Sequence, residues 1–358
     1  MPKVKADSIG VEEEITKVLK MQRLALPDIL KGFAVFLIIP VHILELFIDY
    51  PGRESIFGKT LLFLGGPFAV PVFMLIMGYF LGRSNKKASQ VFFRGIKIFV
   101  LGFLLNIGLN FHLLLKIKFA GWQFNPLEYI LGVDIFYLAG LSVIFISMIK
   151  TFKNGQALFA LIFAFIVLAF TVFMNEQVMV TERNYVLPFI AGTNSWAYFP
   201  LFPWLAYPLI GFSFSFWEQK IQYFIENKQG LFAIVLIVIT VLVVLFGASG
   251  ISTTTTLSAY YHHTFWFAVW AIGIVILWVT VVRFFVIKFP ETLIGNFLRW
   301  LGKNITLFYV IQWLIIGNIA TAIFQTQSIK WYPLWVLSIF SITVFLTHFI
   351  SKTKIKLT

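Results

Sequence analysis

The chain has 358 residues, of which 59% are hydrophobic and 12% charged, with a mean hydropathy of +0.90; this composition excludes a soluble globular protein and indicates a polytopic membrane protein. It contains no cysteine, which excludes disulfides, thiolate catalysis and thiolate metal sites. The formal net charge of +13 is spread over short segments between apolar stretches, as the positive-inside rule requires, and predicts a lipid bilayer as partner and no nucleic acid.

The N-terminal residues 1–25 are polar, and they are expected to form a cytoplasmic tail or an amphipathic helix on the membrane surface. About ten apolar segments follow, each roughly 17–25 residues long and therefore able to span a bilayer. These predicted spans lie at about 27–49, 59–82, 92–112, 126–148, 156–175, 199–217, 230–248, 263–285, 304–324 and 332–350. The prediction is one all-α transmembrane domain over residues 26–350, followed by a basic cytoplasmic tail at 351–358.

The distribution of lysine and arginine predicts the orientation of these spans. With the N-terminus inside, most basic residues fall in inner segments, and the outer segments hold only Arg53, Lys59, Lys116, Lys118, Arg183 and Lys330. An even number of spans then places both termini in the cytoplasm. The expected location is the cytoplasmic membrane of a prokaryote, and a homodimer is one expected assembly.

Polar and small residues divide the spans into two classes. The fifth and seventh spans carry almost no polar group and are expected at the lipid-facing rim of the bundle. The first four, the sixth and the ninth carry polar, glycine or proline residues that pack inside a bundle or line a cavity. Within the second span, Gly65-Gly66-Pro67 predicts a break in the helix.

The first span contains two side chains whose transfer into the hydrocarbon of a bilayer costs free energy. Lys31 and His42 are eleven residues apart, which places them on one helix face and ~16 Å apart along the axis. A cation and an imidazole inside a membrane helix each need a reason. The structural alternative is a snorkelling lysine and a histidine that is hydrogen-bonded within the bundle.

These residues belong to a wider pattern. The arrangement Arg23-x4-Asp28-x2-Lys31-Gly32-x9-His42 resembles the opening of the integral membrane acyltransferase superfamily, which includes the acyltransferase-3 proteins and the heparan-α-glucosaminide N-acetyltransferase-like proteins. Further segments are similar in the expected order: Pro71-Val72-Phe73 with Gly78, Arg94-Gly95 with Leu101-Gly102, Phe199 to Trp204 with Gly211, and Leu301-Gly302-Lys303-Asn304 with Tyr309. Lys31 replaces the commoner arginine, and Gln312 stands where relatives often carry histidine.

The resemblance implies acyl transfer from acetyl-CoA or another acyl-CoA to a hydroxyl or amine of a carbohydrate or glycolipid. Because acyl-CoA is cytoplasmic, its phosphates are expected at the inner ends of the spans, near Lys31, Arg94 and Lys97, with Arg83, Arg299 and Lys303 as further candidates. The pantetheine arm would then run along the first helix towards His42, which acts as general base or acyl carrier.

Two carboxylates are candidate partners of His42. Glu45 follows it by three residues on the same helix, and Asp134 lies at a similar depth in the fourth span. A buried carboxylate would orient the imidazole. The alternatives are a headgroup-level Glu45 and an Asp134 that pairs with an asparagine or tyrosine; Asp28 is expected to pair with Lys31 or Arg23.

Candidate acceptor-binding residues are Asn106 and Asn110 in the third span, Trp204, and His263 in a predicted outer loop. Interhelical hydrogen bonding for the asparagines and an interfacial position for the tryptophan are the alternatives. No metal site is predicted. The rival functions are a proton-coupled transporter or lipid-carrier flippase without acyl transfer, and a sensor or scaffold of an envelope complex.

Overall fold

The computed structural model describes residues 3–177, 184–289 and 292–353, with side chains described from residue 25 onward. Within these ranges the chain is all-α, with short 3-10 turns at Leu187–Phe189 and Ile329–Trp331. The α-helices are α1 Lys3–Phe47, α2 Tyr50–Glu54, α3 Ile56–Gly65, α4 Val70–Arg83, α5 Ala88–Leu109, α6 Phe111–Ala120, α7 Pro126–Ile130, α8 Ile135–Ile149, α9 Gln156–Gln177, α10 Leu201–Trp204, α11 Ala206–Asn227, α12 Gln229–Leu245, α13 Gly247–Thr255, α14 Leu257–Tyr261, α15 Phe265–Lys288, α16 Leu293–Lys303, α17 Ile305–Ile323 and α18 Tyr332–Ser351.

Every predicted apolar segment contains a helix, but the helices differ in their ability to span a membrane. Among the described residues, seven segments are long and apolar enough to cross alone: Ala25–Phe47, Ile56–Arg83, Ala88–Leu109, Gln156–Glu176, Phe265–Lys288, Ile305–Ile323 and Ile329–Ser351. Helix α8 is apolar but shorter, with 15 residues. The pair Leu201–Asn227 and Gln229–Leu245 qualifies only together, across a bend of 105°. The architecture is a polytopic helical bundle, and both the count of ten crossings and the cytoplasmic position of the termini stay predictions.

The N-terminal segment continues directly into the first span. Helix α1 runs unbroken from Lys3 to Phe47 and contains Pro27 and Pro40. The prediction of an amphipathic surface helix depends on side chains before residue 25, which lie outside the described set. The same applies to Arg23 as a partner of Asp28.

Close backbone crossings hold the bundle together, and glycine makes them possible. Gly78 of α4 lies against the carbonyl of Pro208 in α11, and Gly211 of α11 lies against the carbonyl of Leu75 in α4. A Cβ atom at either glycine would overlap that backbone. Small residues let membrane helices approach closely enough for extensive van der Waals contact, so this reciprocal pair fixes α4 on α11.

Helix α16 crosses the inner end of α1 in the same way. Gly32 of α1 lies against the carbonyl of Leu298, and Gly302 of α16 lies against the carbonyl of Asp28. Leu298 is buried in this contact, whereas Lys303 at the end of α16 is exposed. The amphipathic α16 therefore lies against the part of α1 that carries Lys31.

In the described part of the chain, irregular backbone lies inside the bundle at the α3–α4 break and in the segments before α8 and α10. The helix of the second predicted span breaks between α3 and α4, as the sequence predicts, and the Tyr260 hydroxyl donates to the freed carbonyl of Gly66 at 3.1 Å. The segment before α8 pairs with the segment before α10: Val133 N donates to Trp196 O and Phe199 N donates to Val133 O, both at 2.8 Å. Non-helical backbone at membrane depth is tolerated where it is buried in protein or lines a cavity, so these breaks are candidate positions for a functional site.

The two spans expected at the rim differ in their burial. No residue of α12 is buried, which fits a helix at the rim of the bundle. Helix α9, in contrast, buries one stripe, formed by Ala160, Ala164, Val167 and Thr171, and it packs against α11. Its alanines lie four residues apart, the spacing of one helix face, so apolar composition alone did not reveal this packed side.

Candidate functional site

A cavity lies where α1, α4, α8 and α17 meet, and we call it the His42 cavity. Its lining consists of Ile38, His42, Val70, Phe73, Ile135, Phe136, Phe199, Ile305, Thr306 and Tyr309. It encloses about 50 Å³, which is room for a few water molecules. The walls are aliphatic and aromatic except at His42, Thr306 and Tyr309. His42 therefore faces the interior of the bundle.

Helix α17 fixes the orientation of the His42 ring. The amide nitrogen of Gln312 lies 3.2 Å from Nδ1 of His42, and the Trp313 indole covers the imidazole with 4.0 Å between ring centroids. In this orientation the amide donates to Nδ1, so the ring proton is on Nε2. Gln312 Oε1 is buried without a hydrogen-bond partner among the described residues. Turning the amide over lets Oε1 accept from Nδ1–H and leaves Nε2 as a free base.

Asp134 reaches the His42 cavity through a tyrosine. It caps α8 by accepting from Ile135 N at 2.7 Å, and the Tyr309 hydroxyl donates to it from 3.1 Å of both carboxylate oxygens. Tyr309 lines the cavity, with its ring centroid 6.4 Å from that of His42. The carboxylate expected to orient His42 is thus replaced by an amide, Gln312. The tyrosine alternative for Asp134 matches the observed contact.

Glu45 lies outside the His42 cavity. Its side chain lines a second cavity near the C-terminal end of α1, together with Arg53 and residues of α13 and α14. Arg53 and Tyr261 are the polar groups that act on its carboxylate. No described hydrogen bond joins Glu45 to His42, so the expected pairing of these side chains is not formed.

Lys31 and Arg83, two of the predicted donor-binding cations, form ion pairs in the described part of the chain. Lys31 Nζ is 2.8 Å from Asp28 Oδ1, as the sequence predicts, and it also lies 5.1 Å from the centroid of the Phe80 ring. Arg83 pairs with Glu218. Lys31 therefore presents a charge whose position is fixed by neighbouring side chains.

The other four predicted donor-binding cations lie on α5 and α16. Arg94 and Lys97 are exposed on α5, and Arg299 lies one turn before the exposed Lys303 on α16. None of the six lines the His42 cavity as the structure describes it. Lys303 comes nearest along the chain, because Ile305 and Thr306, at the start of α17, form the cavity wall.

The two asparagines of the third span hold irregular backbone in place. Asn106 Nδ2 donates to the carbonyls of Ile130 and Gly132 at 3.1 and 2.8 Å, and Asn110 Nδ2 donates to Tyr129 O at 3.2 Å. These carbonyls belong to the chain that leads into Asp134, and buried carbonyls need donors. The alternative of structural hydrogen bonding matches these contacts, and acceptor binding by the two asparagines stays a prediction.

Trp204 and His263 are also enclosed. Trp204 is fully buried and its Nε1 donates to Tyr261 O at 2.7 Å. His263 has both ring nitrogens occupied, with Nε2 2.9 Å from the Tyr207 hydroxyl and Nδ1 2.8 Å from Tyr260 O. Both side chains are therefore buried and hydrogen-bonded within the bundle, and a role for either in binding the acceptor stays a prediction. Helix α14 folds back into the bundle, and loop composition gave no signal of it.

The sequence places the chain in a known protein family. The family model described as an acyltransferase domain, Acyl_transf_3, matches residues 25–351, which is nearly the whole chain. No curated protein and no solved structure matches the chain. The match covers α1 with His42, α17 with Gln312 and every helix between them, and it does not single out the heparan-α-glucosaminide N-acetyltransferase-like branch. The chain belongs to the acyltransferase-3 family, whose acyltransferase domain forms its membrane-embedded helical bundle.

Proposed function

We propose that the chain transfers an acyl group, acetyl in the first instance, from cytoplasmic acyl-CoA to a hydroxyl or amine of an extracytoplasmic carbohydrate or glycolipid. The observation that supports this most is the position of His42, an imidazole that faces a closed cavity inside the bundle of an acyltransferase. Membrane-buried ionisable side chains that face a cavity mark functional sites.

The imidazole offers two routes for the acyl group. In direct transfer, Nε2 takes the proton of the acceptor hydroxyl while the acceptor oxygen attacks the thioester carbonyl. The CoA thiolate then leaves and is protonated. In carrier transfer, Nε2 attacks the carbonyl first and the CoA thiolate leaves and is protonated. The acceptor oxygen then attacks the acyl-imidazole, the C–N bond breaks, and the imidazole takes up the acceptor proton as it leaves. Both routes need Nε2 unprotonated, which is the tautomer that Gln312 Oε1 favours.

Donor entry requires the His42 cavity to widen. Its volume of about 50 Å³ is far below the ~300 Å³ at which small-molecule pockets begin. The walls that must part are aromatic side chains, Phe73, Phe136 and Phe199. The cavity reaches Thr306, three residues beyond Lys303, so a donor whose phosphates lie at Lys303 would point its thioester towards His42.

Binding and consumption of acetyl-CoA test this function directly. We expect acetyl-CoA to raise the thermal midpoint of the purified protein, and CoA release to depend on an added acceptor. A protein that neither binds nor consumes acetyl-CoA, but takes up a solute with protons, would contradict acyl transfer and support the transporter alternative.

Removal of inner-side charge should weaken donor binding. We expect Lys303→Ala and Lys31→Ala to raise the apparent KM for acetyl-CoA by about tenfold with a small change in kcat, because a lost phosphate contact is uniform binding. Steady-state kinetics in nanodiscs measures both constants. Lys330→Ala, on the side predicted to be external, is the control, and an equal rise in KM there would contradict a specific inner site.

Replacement of Gln312 should separate positioning from shape. Gln312→Leu removes the partner of Nδ1, and we expect kcat to fall by about tenfold or more with acetyl-CoA binding unchanged. Gln312→Glu keeps an oxygen that accepts from Nδ1–H and should retain most activity. The measurement is single-turnover acetyl transfer, and equal rates for the two variants would exclude tautomer control by Gln312.

A further inference from the structure

A second cavity lies beyond the end of α1, and we call it the outer cavity. Its volume is about 400 Å³, within the size range of small-molecule sites. It is enclosed by the ends of α1 and α2, by α3, and by α13 and α14. Polar atoms dominate its wall, in contrast to the apolar His42 cavity. It lies on the side predicted to face away from the cytoplasm.

The charges of the outer cavity are paired with each other. Lys59 Nζ is 3.1 Å from Glu54 Oε2, and Arg53 is the charge partner of Glu45. Arg53 is also held by Gln325, whose Oε1 accepts from its guanidinium at 3.0 Å. The wall therefore has two cations and two carboxylates in matched pairs, which favours an uncharged ligand over an anion or a cation.

Hydroxyl groups line the opposite wall. Ser252, Thr256 and Ser258 are exposed to the cavity, and their hydroxyls have no hydrogen-bond partner among the described residues. The Thr255 hydroxyl donates to Ile251 O at 2.9 Å and keeps its acceptor capacity. The lining therefore combines hydroxyls, carboxylate oxygens and guanidinium nitrogens, which together supply the donors and acceptors that the hydroxyl groups of a sugar ring need.

The outer cavity is adjacent to the His42 cavity. Glu45 follows His42 by one turn of α1, ~4.5 Å along the axis. Tyr261, which lies near the Glu45 carboxylate, packs on Phe199 with 5.3 Å between ring centroids, and Phe199 lines the His42 cavity. Two aromatic side chains thus stand between the polar and the apolar cavity.

We propose that the outer cavity binds the acceptor, and that the acceptor group seated there is a neutral polyhydroxylated ring such as a hexosyl unit. The assignment rests on the proposed acyl transfer for its direction, while the binding itself follows from the cavity. Glu45 and the hydroxyls of α13 and α14 would hold the ring, and the reacting hydroxyl would point past Tyr261 towards His42.

A binding experiment without any acyl donor tests the site alone. The full chain in lipid nanodiscs is examined by saturation-transfer NMR with methyl β-D-glucopyranoside as probe. Ser258→Phe should fill the cavity. Its neighbour Ala259 does not line the cavity, so Ala259→Phe is the matched control. We expect signal with the unchanged chain and with Ala259→Phe, and loss or at least about tenfold weakening with Ser258→Phe. Ser252→Phe, on a different helix, should have the same effect as Ser258→Phe.

The outcomes separate the site from the reaction. Absence of signal with the unchanged chain, equal signal with the filled variants, or preference for glucuronate or glucosamine would overturn the assignment. If the glycoside binds but no acetyl transfer occurs, the proposed function fails and the site stands. If transfer occurs and Ser258→Phe leaves the acceptor KM unchanged, the site fails and the function stands. A filled variant counts only if its thermal midpoint and monodispersity match those of Ala259→Phe.

Discussion

Substitution of His42 by glutamine is expected to abolish acetyl transfer while acetyl-CoA still binds. The imidazole is the one titratable side chain of the His42 cavity that can accept a proton or carry an acyl group near neutral pH. Loss of a general base costs about 10²–10⁴ in rate, and loss of a covalent carrier removes the pathway. Acceptor-dependent CoA release and thermal stabilisation by acetyl-CoA measure the two properties separately.

The exposed His348 in α18 provides a matched control. His348→Gln makes the same chemical change outside the cavity and should leave the rate unchanged. If His42→Gln retained the rate of the unchanged chain, the imidazole would be a structural group and the proposed chemistry would be wrong. Loss of acetyl-CoA binding together with the rate would indicate collapse of the site and require the smaller change His42→Asn.

Addition of one methyl group at Gly211 is expected to have the largest effect on stability. Its Cβ would enter the carbonyl group of Leu75, which is backbone and cannot turn away. The helices α4 and α11 must then separate, and overpacking of this kind costs about 1–3 kcal/mol or more. We expect Gly211→Ala to lower the thermal midpoint in detergent and to reduce the yield of monodisperse protein.

Gly230 in α12 is the control for this substitution, because nothing lies within 4 Å of its Cβ position. Gly230→Ala should be neutral or stabilising by up to about 1 kcal/mol, since alanine favours the helix. Equal thermal midpoints for Gly211→Ala and Gly230→Ala would show that the α4–α11 crossing does not limit stability.

Local helix geometry explains what the sequence could predict. Asp28 and Lys31 are three residues apart on one helix, so their ion pair follows from helical spacing alone. The break between α3 and α4 follows from Gly65, Gly66 and Pro67, which favour neither helix continuation nor its hydrogen bonds. The inward position of His42 follows from the cost of exposing an imidazole to lipid.

The partners of His42 could not be predicted in this way. Gln312 and Tyr309 are more than 260 residues away in sequence, and their approach depends on the rotation of α17 about its axis. The expected pairing of Glu45 with His42 is absent for a local reason. Three residues advance a helix by ~300° and leave the two side chains about 60° apart around the helix axis. That divergence is enough for His42 and Glu45 to face different cavities.

The buried Trp204 and His263 show a second limit. Tryptophan near the end of a span and histidine in a polar loop resemble interfacial and external residues in composition. The short helix α10, which ends at Trp204, and the segment after α14 that carries His263 instead fold into the bundle, where backbone carbonyls and Tyr207 provide the hydrogen bonds of the two side chains. Composition does not record this return, since it is fixed by contacts between distant segments.

Electron cryomicroscopy of the full chain with a non-hydrolysable thioether analogue of acetyl-CoA would locate the donor. We expect the CoA phosphates near Lys303 at the end of α16 and the thioether carbon beside His42 Nε2, with the side chains of Phe73, Phe136 and Phe199 displaced. An analogue bound with its acyl end outside the His42 cavity would contradict acyl transfer at His42.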